Sequence, residues 1–464
     1  MSDTRVETDS MGEVQVPSWA LWGAQTQRAV NNFSISALKI PMAMIRALGR
    51  IKAAAARANA ALGLIDDGIA GAVTRASEET AEGKWDAHFP IDVFQTGSGT
   101  SWNMNANEVI ANRANQILGA PLGVKKPVHP NDHVNRGQSS NDVIPSALHI
   151  ADRLSAAVLA EALEKLSASL ARKAAELKDV LKIGRTHLQD AVPMTLGQEL
   201  SGWARQIQKA REQLISCFPD LEELALGGTA LGTGLNTHPR FAAMVCAELS
   251  SRTGVPFRQS PNLFAAEASR DAQVRLMGAL NTLCVALTKI CNDIRLLSSG
   301  PRTGLAEISL PSLQPGSSIM PGKVNPVILE MTLQAAAHVM GKCLSVSLGG
   351  QNAPLELNMA MPLIAYETVS GLELLTAAAD ALRERCIDGI TADEARCMDG
   401  IERSLAMVTP LALVIGYDKA AALAHKALTE GLTIRQIVLR EKVLDEKDAA
   451  RILDPKGMLG PSEK

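Results

Sequence analysis

The sequence predicts an all-α protein, and three observations support that prediction. From Leu276 to Leu297 the leucines and isoleucines recur at alternating steps of four and three, which is the heptad spacing of a long helix in a bundle. Alanine, leucine and methionine, all good helix formers, dominate the middle of the chain. The chain shows no repeated alternation of β-branched residues, which is the pattern that a sheet requires.

The helices are expected in the following order. A shorter helix covers residues 41–62, and Gly63 ends it. Longer helices follow over residues 159–181, 276–297, 331–346 and 363–386. Helices of this length are unusual for one small globular domain, so burying their faces is expected to require other subunits.

Three domains are expected along the chain. The loop at residues 121–137 contains three prolines and marks the first boundary. Beyond about residue 389 the helical segments become short and charged. The predicted domains are therefore an N-terminal helical domain at 1–137, a long-helix domain at 138–390 and a small C-terminal helical domain at 391–464.

Composition excludes several classes of function. The net charge is -3, aromatic residues make up 3% of the chain, and no basic run occurs, so nucleic acid is not an expected partner. The first fifteen residues contain no apolar signal segment, and no stretch approaches the roughly 18 uncharged apolar residues of a membrane span. Seven scattered cysteines without a CxxC pair indicate reduced thiols. We therefore expect a cytoplasmic protein with no membrane partner.

The most informative segment is the loop at residues 315–326, which is bounded by prolines and built on glycines. It contains the hydroxyls of Ser317 and Ser318, the ammonium of Lys323 and the amide of Asn325. Such a loop can close over a small anion, or it can be a plain connector between two helices. It is not a phosphate-binding P-loop, because five residues separate its glycines and Val324 follows the lysine.

Three further polar segments lie next to predicted helices, at residues 96–101, 138–142 and 184–190. Serines and threonines in the first two either bind an anion at a helix start or cap that helix, and the two roles are compatible. In the third, His187 is surrounded by polar residues without apolar periodicity. A structural role is the better interpretation for His149, His338 and His425.

Two segments partly match the sequence patterns of a zinc site and of a dinucleotide-binding site. His129 and His133 have the spacing of a helical zinc pair, but Pro130 and the lack of a nearby glutamate base argue against a metal. The glycine-rich run at 226–236 is expected to follow a helix rather than a strand, which argues against dinucleotide binding.

Taken together, these loops resemble the fumarase/aspartase superfamily over nearly the whole chain. The segments that match in order are Thr96-Gly-Ser-Gly-Thr100, Asn103-Met-Asn105, Gln138-Ser-Ser-Asn-Asp142, Gly184-Arg-Thr-His187, Gly232-Thr-Gly-Leu-Asn236 and Gly316-Ser-Ser-Ile-Met-Pro-Gly-Lys-Val-Asn-Pro326. Within the superfamily the chain is most similar to the class II fumarate hydratases, because Ser140 stands where aspartases tend to have threonine. The stretch from Leu355 to Tyr366 is more similar to an aspartase.

The resemblance implies a three-domain helical homotetramer whose active sites draw loops from three subunits, without a metal or an organic cofactor. The implied reaction is the reversible hydration of fumarate to malate through an aci-carboxylate. The implied proton-transfer and charge-stabilising residues are Ser317 as base, His187 with its partner Glu330, and Lys323. The implied substrate-binding residues are Ser98, Thr100, Ser139, Ser140, Asn141, Thr186 and Asn325. A secondary anion site is implied at His129, Asn131 and Asp132.

Two alternative functions stay open at the level of the sequence. An aspartate ammonia-lyase would use the same fold to release fumarate and ammonia from aspartate. A helical scaffold that kept the fold and lost catalysis belongs to a different class. The joint presence of Ser317, Lys323, Asn325, His187 and Asn141 argues against such a scaffold.

Overall fold

The computed structural model describes residues 3–461, and most of them are helical. The helices up to residue 253 are α1 (Ala24–Asn32), α2 (Met42–Ala61), α3 (Asp67–Ala81), α4 (Thr100–Ile117), α5 (Ser140–Glu176), α6 (Leu196–Ile215), α7 (Phe218–Leu221) and α8 (Phe241–Thr253). The later helices are α9 (Leu263–Ala268), α10 (Asp271–Leu297), α11 (Val327–Gly350), α12 (Met361–Arg385), α13 (Glu394–Arg403), α14 (Thr409–Ile415), α15 (Tyr417–Glu430), α16 (Ile434–Arg440) and α17 (Glu446–Ile452).

The strands within residues 3–461 form small two-stranded pairs rather than an extended sheet. They are β1 (Thr4–Asp9), β2 (Gly12–Pro17), β3 (Leu181–Thr186), β4 (Gln189–Thr195), β5 (Glu223–Leu224), β6 (Arg258–Gln259), β7 (Ile308–Ser309) and β8 (Thr391–Ala392). β5 and β6 pair in parallel, whereas the other three pairs are antiparallel. The prediction of a mainly helical fold is confirmed, and the pairs are local additions to it.

The predicted helices over residues 276–297, 331–346 and 363–386 are confirmed with small shifts of their ends. The apolar seam of α10 is buried from Leu276 through Leu297, as its heptad spacing predicts. α2 ends where expected, since Leu62 caps it and Gly63 follows with a φ of 69°. That left-handed backbone suits a residue without a Cβ.

The predicted helix over residues 159–181 has both ends misplaced, because α5 begins earlier, at Ser140, and ends earlier, at Glu176. The amide of Leu177 donates the last helical hydrogen bond to the carbonyl of Lys173, and α5 ends at Glu176. Leu181 instead opens β3, where it pairs with Thr195 on β4. The apolar spacing continued past the helix, but pairing with a strand fourteen residues away decided the conformation of Leu181.

The chain divides into two compact units, and the long helices contribute residues to both. The first unit comprises the residues up to Ala160, Glu212–Thr282 and Ala337–Leu375. The second comprises Glu161–Arg211, Leu283–Ala336 and the residues from Thr376 onward. In the second unit, Ile183 of β3 packs into a core built from the C-terminal helices, with Ile401, Leu411 and Ile437 among its buried members. The three predicted domain ranges stay a prediction.

Two helices of residues 3–461 are long and apolar enough to span a membrane by length and composition. They are α5 and α10, and 67% and 44% of their most apolar windows are buried inside the protein. Both helices contain charged residues, and neither holds an unbroken run of roughly 18 uncharged apolar residues. A buried core helix of a helical bundle also meets this criterion of length and composition, because its apolar residues resemble those of a membrane-spanning helix.

Candidate active site

The first polar loop of the first unit forms the start of α4. Gly99 has a φ of 71° immediately before Thr100, the first residue of the helix. Gly97 passes so close to the chain that an added Cβ would lie 2.1 Å from the carbonyl oxygen of Met359. Both positions therefore require glycine. The turn brings the hydroxyls of Ser98 and Thr100 to 2.7 Å from each other.

The second polar loop forms the start of α5. The amide of Ser139 donates to Asp142 Oδ1 at 2.9 Å, and the amide of Asn141 donates to Ser139 Oγ at 3.2 Å. This reciprocal arrangement confirms the predicted capping interaction. A Cβ on Gly99 would lie 2.9 Å from Ile144, so the starts of α4 and α5 are in close contact. Two helix N-termini meet there, and their partial positive charges favour an anion.

Asn103 connects the two helix starts. Its Nδ2 donates to Ser140 Oγ at 3.0 Å, although Asn103 lies on α4 and Ser140 on α5. Asn141 points its own Nδ2 at the carbonyl of Ala230, 2.7 Å away. The structure therefore brings Ser98, Thr100, Ser139, Ser140 and Asn141 into one region of the first unit.

The glycine-rich run at 226–236 lies against this region. Asp142 Oδ2 accepts hydrogen bonds from the amides of Gly227 and Thr229 at 3.0 and 3.1 Å. Burial raises the pKa of Asp142 to about 6, against the effect of these bonds. The expectation that a helix directly precedes the run was wrong, because β5 lies between α7 and the run. The sequence signal for Asp142 is its position three residues after Ser139, which is the spacing of a capping box.

His187 lies in the second unit at the tip of the β3–β4 hairpin. We expected a loop beside a helix, and the hairpin corrects that expectation. His187 and Leu188 have φ angles of 56° and 61°, so a two-residue turn places both central residues in the left-handed region. Turns of this kind favour glycine or asparagine, and a histidine held there is strained. The imidazole is exposed, and it has no hydrogen-bond partner within residues 3–461. Thr186, the last residue of β3, is exposed beside it.

Buried ion pairs support the base of this hairpin. Lys182 Nζ lies 3.0 Å from Glu199 and 3.2 Å from Glu307, and Arg185 lies 2.7 Å from the other oxygen of Glu307. Lys182 and Glu307 are each 2% exposed at their side chains. Glu307 directly precedes β7, and β7 leads toward the loop at 315–326. Its role was not visible in the sequence, because its partners lie more than 100 residues away.

The loop at 315–326 is irregular, as predicted, and its own hydrogen bonds close it. The amide of Gly316 donates to the carbonyl of Lys323, and Asn325 Nδ2 donates to the carbonyl of Gly316, both at 2.7 Å. Within the loop, Ser317 Oγ accepts from the amides of Ile319 at 3.3 Å and Met320 at 3.0 Å. Two N–H groups therefore converge on the one hydroxyl oxygen that was predicted to act as a base.

A cavity of about 790 Å³ in the second unit is lined in part by Lys323, Asn325 and Glu330. Among the described residues of one chain, His187 and Glu330 form no hydrogen bond, so their expected pairing stays a prediction. Five of the predicted substrate-binding residues lie in the first unit, whereas Thr186, Asn325 and the proton-transfer residues lie in the second, so the convergence of all of them stays a prediction.

The predicted secondary anion site is a tight π-helical turn over Pro130–Val134. His129 Nδ1 accepts the amides of Asn131 and Asp132, each at 3.2 Å, and thereby caps the turn. His133 Nδ1 accepts the amide of His129 at 2.8 Å. One nitrogen of each imidazole is therefore occupied by backbone, and His129 keeps its Nε2 for any ligand.

A buried carboxylate elsewhere in the first unit should make stability depend on pH. Burial raises the pKa of Asp152 from 3.8 to about 7, although Gln273 Nε2 lies 3.3 Å from its Oδ2. The folded protein then binds more protons than the unfolded chain between these values, so Asp152 makes stability fall as pH rises through that window. In Asp152→Asn this contribution disappears. We expect the unfolding midpoint of the variant, relative to wild type, to increase from pH 5 to pH 8.

The measurement is chemical denaturation of both proteins at several pH values. Asp179→Asn, which alters an exposed carboxylate, is the matched control and should show a constant difference from wild type. A pH-independent difference for Asp152→Asn as well would contradict the assignment.

Two family models match this chain. Residues 12–341 match the family described as Lyase, and residues 407–460 match the family described as Fumarase C C-terminus. A fumarate hydratase class II from Bordetella parapertussis is 48% identical over 98% of this chain and 98% of its own. A protein of the same name from Nitrosomonas europaea is 49% identical, with 99% of each chain covered.

A solved structure shows the same similarity. The recombinant class II fumarase from Schistosoma mansoni has a TM-score of 0.94 and 38% identity, covering 98% of this chain and 99% of that chain. The fold is thus that of a helical lyase. The chain belongs to this lyase family and, within it, to the class II fumarate hydratases. The predicted resemblance and fold class are confirmed.

Proposed function

We propose that this protein catalyses the reversible hydration of fumarate to malate. The observation that supports it most is the pair of backbone N–H groups that converge on Ser317 Oγ. A serine hydroxyl is a weak base unless its anion is stabilised, and two amide donors provide that stabilisation. Membership of the class II fumarate hydratase family indicates which substrate the base would meet.

In the dehydration direction, the Ser317 alkoxide removes a proton from the carbon next to a malate carboxylate. The electron pair moves into that carboxylate and gives an aci-carboxylate dianion. Lys323 and Asn325 stabilise the added charge, with Thr186 and Asn141 contributing donors. The C–O bond then breaks, and the hydroxyl leaves as water after accepting a proton from His187, which Glu330 orients. An imidazole suits such an exchange near neutral pH.

The other carboxylate oxygens are bound by Ser98, Thr100, Ser139 and Ser140 at the joined starts of α4 and α5. Hydroxyl and amide donors at helix N-termini match a dicarboxylate, since it offers four acceptor oxygens. His129, Asn131 and Asp132 form the proposed secondary anion site. No metal or organic cofactor takes part in this scheme, because side chains and backbone carry the charge.

We further propose that the active form is a cytoplasmic homotetramer in which different subunits contribute to each site. The absence of a hydrogen bond between His187 and Glu330 among the described residues of one chain supports a shared site. Exposed apolar residues on the long helices, such as Val285 on α10 and Leu344 and Leu348 on α11, support burial by other subunits.

The test is to measure fumarate formation from malate and from aspartate in parallel on the purified protein. We expect fumarate from malate, with turnover from aspartate lower by orders of magnitude. Preferential release of fumarate and ammonia from aspartate would assign the ammonia-lyase activity instead. A folded tetramer without turnover of either compound would favour the non-catalytic scaffold.

A further inference from the structure

Lys52 is a fully buried cation whose position the proposed mechanism does not explain. It lies on α2 within a run of alanines and is 0% exposed. Its Nζ donates to Asn135 Oδ1 at 2.9 Å and to Gln138 Oε1 at 3.0 Å. Burying an ammonium is costly unless its hydrogen-bonding capacity is used. Here the ammonium donates to two neutral amide oxygens, and Lys52 forms no ion pair among the described residues.

The hydrogen bonds continue from Lys52 to the proposed substrate-binding region. Asn135 Oδ1 also accepts from Asn103 Nδ2 at 3.2 Å. The same Nδ2 donates to Ser140 Oγ at 3.0 Å. Asn135 uses its own Nδ2 on the carbonyl of Gln138, 3.1 Å away. Lys52, Asn135, Asn103 and Ser140 therefore form one continuous chain of hydrogen bonds, which we call the Lys52 relay.

The Lys52 donor and the carbonyl of Gln138 together determine the orientation of Asn135, and Asn135 determines that of the other groups in the relay. A lysine ammonium has donors and no acceptor, so Asn135 must present its oxygen to Lys52. Burial lowers the pKa of Lys52 to about 7, and a neutral amine still keeps two N–H groups for its two partners. With Oδ1 of Asn135 facing inward, Asn103 must present its Nδ2. Ser140 Oγ then accepts from Asn103, so the hydroxyl proton of Ser140 is free for another acceptor.

We propose that Lys52 is a positioning residue that, through Asn135 and Asn103, holds the Ser140 hydroxyl as a donor to a substrate carboxylate. The inference rests on the proposed function, because it takes Ser140 as a residue that binds the dicarboxylate. Without Lys52 the Asn135 amide keeps only the bond from its Nδ2 to the carbonyl of Gln138 as a fixed reference. When that weaker restraint gives way, Asn135 and Asn103 rotate together, and Ser140 can turn its proton toward Asn103. A hydroxyl oriented in that way presents lone pairs to the carboxylate, and the interaction becomes repulsive.

The relay predicts a loss of dicarboxylate affinity rather than a loss of chemistry. The variants are Lys52→Met, which keeps the length of the side chain, and Asn135→Leu, which interrupts the relay at a partly buried position. The measurements are the succinate dissociation constant by calorimetry, and KM and kcat with malate. We expect each variant to bind succinate about tenfold more weakly and to raise KM about tenfold, with kcat within about threefold, as for one misdirected hydrogen bond to a charged group.

Lys342→Met is the matched control. Lys342 is 6% exposed on α11 and contacts Glu367 and Ser370 within the same unit, so its loss also removes a buried ammonium. We expect this variant to lose stability and to keep wild-type affinity for succinate. Equal weakening of succinate binding in Lys342→Met would overturn the relay, because it would show a general effect of lost stability.

The remaining outcomes separate the relay from the proposed function. If wild type neither turns over malate nor binds succinate, both proposals fail together. If wild type is active and the folded variants keep its KM and succinate affinity, the relay alone is wrong. If Lys52→Met does not fold, Asn135→Leu decides by itself.

Discussion

Replacing Ser317 by alanine should lower turnover of malate by about 10²–10⁴-fold, the usual contribution of a positioned proton-transfer group. The variant keeps the backbone of the loop, whose closing hydrogen bonds join Gly316 to Lys323 and to Asn325. It removes the single oxygen on which the amides of Ile319 and Met320 converge. The expected signature is therefore a reduced kcat with little change in KM or unfolding midpoint.

The neighbouring hydroxyl provides the matched control. Ser318 follows directly in the chain, and none of the hydrogen bonds that stabilise the loop uses its side chain. Ser318→Ala should keep turnover within about tenfold of wild type, since it removes no proton-transfer group. Steady-state kinetics on the two variants decide the assignment. Near-normal turnover in Ser317→Ala, or a greater loss in Ser318→Ala, would remove Ser317 from the role of base.

Replacing Glu307 by glutamine should give the largest loss of stability. The change keeps the shape of the side chain but removes the charge shared by Lys182 and Arg185. Removing one member of a buried ion pair typically costs about 3–5 kcal/mol. Here Arg185 loses its carboxylate, and Lys182 keeps only Glu199. Through its ion pairs with Lys182 and Arg185, Glu307 connects β3 to the segment that leads into the loop at 315–326. We therefore also expect lower activity, through displacement of the hairpin that presents His187.

An exposed ion pair in the same unit gives the comparison. Glu161 and Lys165 form an i,i+4 pair on α5 with side chains 65% and 54% exposed. Glu161→Gln should leave stability nearly unchanged, because solvent screens such pairs. Thermal and denaturant unfolding of both variants provide the measurement. Equal stability of Glu307→Gln and Glu161→Gln would show that the buried pairs do not hold the hairpin.

Much of the fold could be predicted because it depends on local pattern. The heptad spacing of α10 specifies a helix, and the glycine after α2 specifies a helix end. Both signals involve only residues that are close in sequence, so they do not depend on the rest of the chain. The capping interaction of Ser139 with Asp142 is local for the same reason. The loop at 315–326 was recognisable because prolines and glycines exclude regular structure.

The hairpin that carries His187 could not be predicted in that way. Its turn residues are His187 and Leu188, which are not the glycine or asparagine that would signal a two-residue turn. The hairpin forms because β3 pairs with β4. It is stabilised further because Glu307 neutralises the charges of Lys182 and Arg185. Those contacts join residues that are far apart in sequence, so no local pattern records them.

By itself, the sequence determined the helical class, the ends of several helices, the family and the residue types of the polar loops. The tertiary structure decided which polar groups share hydrogen bonds: Lys52 with Asn135, Asn103 with Ser140, and two loop amides with Ser317. The physical reason is the distance along the chain over which each interaction acts. Helix formation depends on neighbours three and four residues away, whereas the partner of a buried charge or a directed hydroxyl is chosen only when distant segments pack.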